Sequence, residues 1–312
     1  MRSRSIVACL LGLTLAVAAR AEQDERCPRL TGDILKQTRA AASVLPVSDL
    51  SAVPRLRDRL GLSSDDYESL RASFVRAYGQ DAMLHDLRAR LENSCEAEKL
   101  MAVLEWHRGW TARHAMALEE SAQAPEAAPA LQRFAAELRP YPPPEWRVAL
   151  VRRLNEVTGA SVLAYSAFLQ PWLAVGRIAD AESLETLHAD PNKDRSAVQN
   201  RVLVRMLYTY REVAQSEFES FVAWNESDLG RWWNRTLQAA VLGSYQDAAA
   251  RYAGMAEADL ERLRSRTARP AASGAAPAPT STENPGATSE PPAAPVVPLE
   301  PDEPVLPAQH AP

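Results

Sequence analysis

Apolar residues in this chain recur every three or four positions and hardly any run alternates with period two, so the backbone is committed to helices rather than to a sheet. One stripe runs Leu229, Trp233, Leu237, Val241, Tyr245, Ala248, Tyr252 and Met255, and another sets Val198, Val202, Met206, Tyr210 and Val213 on one face. Between residues 22 and 269 alanine, leucine and arginine dominate and prolines fall between segments. The expected fold is all-α. Asn93-Ser94-Cys95-Glu96 and Ser216-Glu217-Phe218-Glu219 read as capping boxes at two helix starts. Pro140-Tyr141-Pro142-Pro143-Pro144 must break any helix, and it divides a first helical unit, 22–139, from a second, 140–269.

The two ends differ from this body. Residues 1–21 carry Arg2 and Arg4, an apolar run from Ile6 to Ala19, and Ala19-Arg20-Ala21, which together read as a secretory signal cleaved before Glu22. The apolar run is shorter than the roughly twenty residues a membrane-spanning helix needs, and no later segment approaches that length, so no transmembrane segment is expected. Cys9 lies inside the run, with too little signal before it to be a lipid-bearing first residue. At the other end, residues 270–312 hold 12 of the 23 prolines and no Lys or Arg. Such a stretch buries too little apolar surface to fold, and it reads as an acidic, disordered tail of polyproline II character, extendable to about 130 Å.

Export changes the charge and the meaning of the cysteines. The 35 basic residues fall to 32 when Arg2, Arg4 and Arg20 are removed, against 40 acidic ones, a net charge of −8. Neither nucleic acid nor an anionic membrane surface suits such a chain. The two cysteines that survive cleavage, Cys27 and Cys95, are expected to form a disulfide in an oxidising compartment, the periplasm first and the secreted state as the alternative.

The two helical units carry related segments. Setting Trp106 against Trp224, an offset of 118, also pairs Arg113 with Arg231 and the small Ala112 with Gly230. In each copy a helix ends near the tryptophan, a short connection follows, and a second helix opens around the arginine. This reads as two copies of an antiparallel helical hairpin. The second copy, Ala223-Trp224-Asn225-Glu226-Ser227-Asp228-Leu229-Gly230-Arg231, resembles the motif of an uncharacterised family of exported bacterial helical proteins, in which an aromatic residue precedes Ser-Pro-x-Gly-Arg/Lys. Leu207-Tyr208, Ser216 to Phe221 and the segment from Arg152 to Ala160 extend the similarity, which covers residues 148–250 best. Asp228 stands where proline is usual, and both residues suit the first turn of a helix. The first copy, Trp106 to Arg113, lacks the Ser-Pro and the Gly. The resemblance implies an all-α periplasmic protein and brings no reaction, ligand or catalytic residue with it.

Chemistry-bearing clusters are sparse. His107 and His114, with Glu105 and Glu119 nearby, are the best metal candidates, yet seven residues apart on one helix they stand roughly 10 Å apart along its axis. Only a break at Gly109 brings them together; otherwise they are surface or capping histidines. His85 and His188 stand alone, and His310 lies in the tail. Gly243-Ser244 lacks the context of a nucleophile elbow. The 12 glycines form neither a Walker nor a dinucleotide pattern, so no nucleotide cofactor is expected. Glu119-Glu120 and Asp65-Asp66 suit acid–base work, but adjacent carboxylates in a charged helical protein are usually solvated. Trp232 and Trp233 are neighbours on one helix and point about 100° apart. Trp224 and Trp233 therefore read as core and Trp232 as a boundary residue. The competing reading makes Trp232 with Arg231 and Arg235, and Trp110 with Arg113, an aromatic and cationic interaction surface, and leaves Trp106, Trp224, Ser227 and Gly230 a structural role.

The leading expectation is a non-enzymatic periplasmic interaction or scaffold protein, whose tail tethers it or recruits an envelope protein. The alternatives are an envelope hydrolase with acidic residues in a groove between the units, and a chaperone-like binder of exported clients.

Overall fold

The structure, a computed structural model, describes residues 26–38, 57, 62–175 and 191–267. The expected leader and tail, His188 and His310 lie outside these. Residues 26–37 form α1. There follow α2 Ser64–Ala77, α3 Gln80–Asn93, α4 Ala97–His107, α5 Trp110–Gln123, α6 Ala128–Glu137, α7 Glu145–Thr158, α8 Ala160–Val175, α9 Pro191–Thr209, α10 Gln215–Glu226 and α11 Asp228–Thr267. No strand occurs among the described residues, as the apolar periodicity requires.

Local chemistry sets the boundaries. Ser63 caps α2 by accepting the Asp66 N–H at 3.2 Å. Pro140 to Pro144 keep α6 and α7 apart. Gly159 ends α7 in the left-handed region, at φ 63°, where an L side chain is strained. A Cβ there would also lie 2.6 Å from the Gln238 side chain of α11.

Two expected capping boxes are absent. Asn93 is the last residue of α3, and Ser94 turns its hydroxyl back to the Arg90 carbonyl at 2.9 Å. Ser216 lies inside the first turn of α10, whose extended N-cap residue is Ala214, without a side-chain bond. In both places the helix boundary is displaced from the expected cap: α3 runs on through Asn93, so the Ser94 hydroxyl meets a carbonyl instead of a free N–H, and α10 already begins at Gln215, ahead of Ser216.

Side chains gather into two cores. The first takes Ile34 from α1, Leu70 and Phe74 from α2, Met83 and Leu87 from α3, Leu100 and Val103 from α4, Leu163 and Ala167 from α8, and Trp233, Val241, Tyr245, Ala248 and Tyr252 from α11. The second joins Ala115 of α5, Leu150, Val151 and Leu154 of α7, Leu203, Val204 and Leu207 of α9, and Phe218 and Val222 of α10. These cores do not follow the boundary expected at Pro140. The stripe of α11 is apolar enough to require cover along its length, and α2, α3 and α8 supply it. The stripe expected at α9 is buried at Val198, Tyr210 and Val213 but widened between them. Leu203, Val204 and Leu207 are buried, while Val202 and Met206 are half-buried, because α9 packs against α5, α6, α7 and α8 at once.

Polar ties fix the register of α11. Arg90 grips Asp247 through Nε and Nη2, each at 2.9 Å. Arg251 donates to Asp86 at 2.6 Å and to the Ala77 carbonyl at 2.9 Å. Gly243 leaves room for the Arg90 guanidinium, which a Cβ would meet at 2.3 Å. Cys27 and Cys95 form a disulfide that ties α1 to the α3–α4 connection.

Candidate functional site

The α10–α11 turn is built by the residues that carry the family resemblance. Ser227 has extended backbone, φ −63° and ψ 163°. Its hydroxyl donates to the Trp224 carbonyl at 2.6 Å and accepts the Gly230 N–H at 3.1 Å. The chain doubles back so tightly that a Cβ on Gly230 would stand 2.1 Å from the Trp224 carbonyl oxygen. Arg231 Nε closes on the Glu226 carbonyl at 2.6 Å. Buried Asn234 donates to buried Asn225, which in turn bonds the Phe221 carbonyl. Arg153, from the other segment of the resemblance, grips the Glu226 carboxylate from α7 at 2.9 Å and 2.5 Å and holds it below the usual carboxylate range.

The α4–α5 turn repeats this backbone 118 residues earlier. Gly109 replaces Ser227 with φ −65° and ψ 158°. Its N–H reaches the Trp106 carbonyl at 2.9 Å, as that of Ser227 reaches Trp224 at 3.0 Å. Its carbonyl accepts Arg113, as that of Ser227 accepts Arg231. Ala112 and Gly230 are both buried. The second helices open at Trp110 and Asp228, again 118 apart.

The two equivalent turns clasp each other. The rings of Trp106 and Trp224 stack with centroids 3.7 Å apart and planes within 8°. A residue that packs on its own equivalent is the mark of a local two-fold relation. Phe221 extends the stack from α10 at 5.9 Å from Trp106. His107 stands edge-on to Trp106 and Trp224. Both its ring nitrogens are shut off from water without a hydrogen-bond partner, and burial lowers its pKa to about 4. No family model, curated protein or solved structure matches the chain. Its chemistry is therefore read from its own side chains.

Beside the stack, α5, α10 and the turn after α9 line a half-open notch with room for about one water molecule. His114 Nδ1 lies 2.7 Å from Glu217 Oε1 on its wall. Tyr210, also on the wall, donates its hydroxyl to Glu119 at 2.5 Å. Burial first, and the charge of Glu119 second, push the Tyr210 pKa well above the usual phenol value. Trp110 leans over His114 with centroids 4.5 Å apart, and 64% of it faces solvent. The His114–Glu217 pair ties α5 to α10 beside the notch. The open indole of Trp110 offers a flat apolar contact with one N–H donor.

The remaining candidates take other roles. Glu105 pairs with Arg108 in solvent, His107 belongs to the tryptophan stack, His114 to Glu217 and Glu119 to Tyr210, so these four candidates do not converge on one point. Among the described residues no group of three His, Cys, Asp or Glu side chains is arranged to hold an ion. Trp232 is engaged internally: its Nε1 donates to Glu96 at 2.8 Å, Lys99 lies 5.1 Å over its ring, and it packs on the first core. Arg113 and Arg235 are exposed. Trp233 is core, as expected. Ser244 is buried and bonds the Ala240 carbonyl. Sequence reasoning missed Glu217, Tyr210 and Phe221. Their partners lie 91 to 115 residues away, and no local spacing signals such pairings.

Proposed function

We propose that the chain is a non-enzymatic interaction module of the bacterial envelope, exported to the periplasm by its leader and kin to the helical family its turn motif resembles. It engages a partner protein through the face around Trp110. The observation that carries this reading is the contrast among the tryptophans of the two turns. Trp106 and Trp224 are spent on each other and Trp232 on Glu96, whereas Trp110 stands open on a rigid helix start. Exposed tryptophans on pre-organised surfaces are favoured anchors of protein interfaces. Arg113, one turn further on the same helix face, adds a charge at the rim. A leader at 1–21 and the Cys27–Cys95 bond agree with an oxidising compartment, and a proline-rich tail gives such a module reach.

The test is co-purification after crosslinking in periplasmic extracts, wild type against Trp110→Ala. An exposed anchor contributes about 2 kcal/mol, so a specific partner should fall at least tenfold while the helical content stays unchanged. Equal capture by both forms would remove Trp110 from the interface, and capture of no specific partner by the wild type would end the reading.

A further inference from the structure

Six prolines of the tail, Pro292, Pro295, Pro298, Pro301, Pro304 and Pro307, recur at every third position. A polyproline II helix has three residues per turn, so this spacing aligns all six on one edge of a rod. Glu300, Asp302 and Glu303, the acidic residues of the same stretch, fall on the other two edges. Rods of this type dock with their proline edge on exposed aromatic rings, a low-entropy mode of recognition because the ligand is already extended.

We infer that the proline row 292–307 is the resting occupant of the Trp110 face of the same chain, an inference that rests on that face being the interaction surface. Among the large apolar side chains of the two paired turns, Trp110 is the one left open to receive a proline edge. Arg113, exposed one turn along α5, lies where it can meet the acidic residues beside the row. Chain length allows the row to reach this face. α11 opens at the paired turns and carries the chain away from them for 40 residues, about 60 Å at 1.5 Å per residue. The 24 residues from 268 to 291 would reach at most about 75 Å if extended as polyproline II. That reach exceeds the length of α11, so the chain is long enough for the row to return to the turns. A partner that takes the Trp110 face must displace the row.

Photocrosslinking in the intact mature chain tests this, with a benzophenone amino acid in place of Leu299 and irradiation at high dilution. The expected product has the mass of one chain, with the crosslink mapped by mass spectrometry to residues 106–118. Its yield should drop at least about fivefold in Trp110→Ala and in a chain with Pro295, Pro298 and Pro301 all replaced by alanine; that second variant leaves the helical body untouched. Crosslinks scattered over the surface, concentrated on the exposed Val162 and Leu173 of α8, or joining two chains would overturn the inference. Loss of the partner in Trp110→Ala together with scattered crosslinks discards the tail contact and leaves the proposed function standing. A crosslink directed to Trp110 beside undiminished partner capture supports the tail contact and removes the partner reading.

Discussion

His107 sits against two indoles with neither ring nitrogen bonded, and that sets a pH dependence. Its pKa is about 4 in the fold against 6.5 when free. Above pH 6.5 it is neutral in both states and its burial costs nothing in protonation. As pH falls below 6.5 the unfolded chain takes up a proton that the folded chain refuses, so stability declines until pH passes about 4, where both forms are protonated. The whole loss amounts to about 3 kcal/mol. Urea midpoints measured from pH 7 to 4 should fall along this window in the wild type and fall less in His107→Phe, which has no proton to gain. Parallel curves would show that His107 is not buried as described. None of this was visible in the residue itself: beside Glu105 and seven positions from His114 it reads as a metal ligand or a surface group, and only the stacking of two distant tryptophans encloses it.

Among the elements, the paired turns carry the molecule's internal relation. Gly230 and Gly109 are both glycines of these turns, yet their demands differ. A methyl group at Gly230 would drive into the Trp224 carbonyl and the Asn225 backbone at 2.1 and 2.8 Å, whereas at Gly109 it would meet one carbonyl at 3.0 Å. Gly230→Ala should therefore cost about 3 kcal/mol through a forced backbone shift, and Gly109→Ala no more than about 1 kcal/mol as a poorer N-cap. Equal losses in chemical denaturation would contradict the tight second turn. The offset of 118 was legible from Trp, Ala/Gly and Arg positions, because a helix-to-helix turn constrains just those residues. That the equivalent tryptophans face each other was not legible, since repetition along a chain says nothing of how the copies dock. Asn93 and Ser216 misled as caps for a related reason: a helix boundary displaced by a residue or more puts the expected cap inside a helix, Asn93 at the end of α3 and Ser216 in the first turn of α10.

At the scale of the whole molecule, α11 is the spine, and the disulfide closes the far side of the first core. Cys27 and Cys95 enclose a sequence separation of 68 residues, so freeing them removes up to about 4 kcal/mol of chain-entropy stabilisation. Replacing both by serine should lower the unfolding free energy by about 2 to 4 kcal/mol, and an unchanged midpoint would mean that α1 contributes nothing to the fold. The helical class followed from apolar periodicity, and the stripe of α11 was legible nearly residue by residue because one face of one straight helix is buried. The division of the cores was not, since it depends on ties such as Arg90 to Asp247 and Arg251 to Asp86, which join residues more than 150 positions apart.

The proposed interaction surface requires that Trp110, and not its equivalents in the paired turns, faces outward. Labelling the protein with 5-fluorotryptophan and recording 19F spectra with a soluble paramagnetic probe, each resonance assigned by a single Trp→Phe variant, measures this directly. The Trp110 signal should be broadened most strongly, those of the half-buried Trp106, Trp224 and Trp232 less, and that of buried Trp233 least. A protected Trp110, or a Trp106 or Trp224 as open as Trp110, would contradict both the clasped turns and the surface they present.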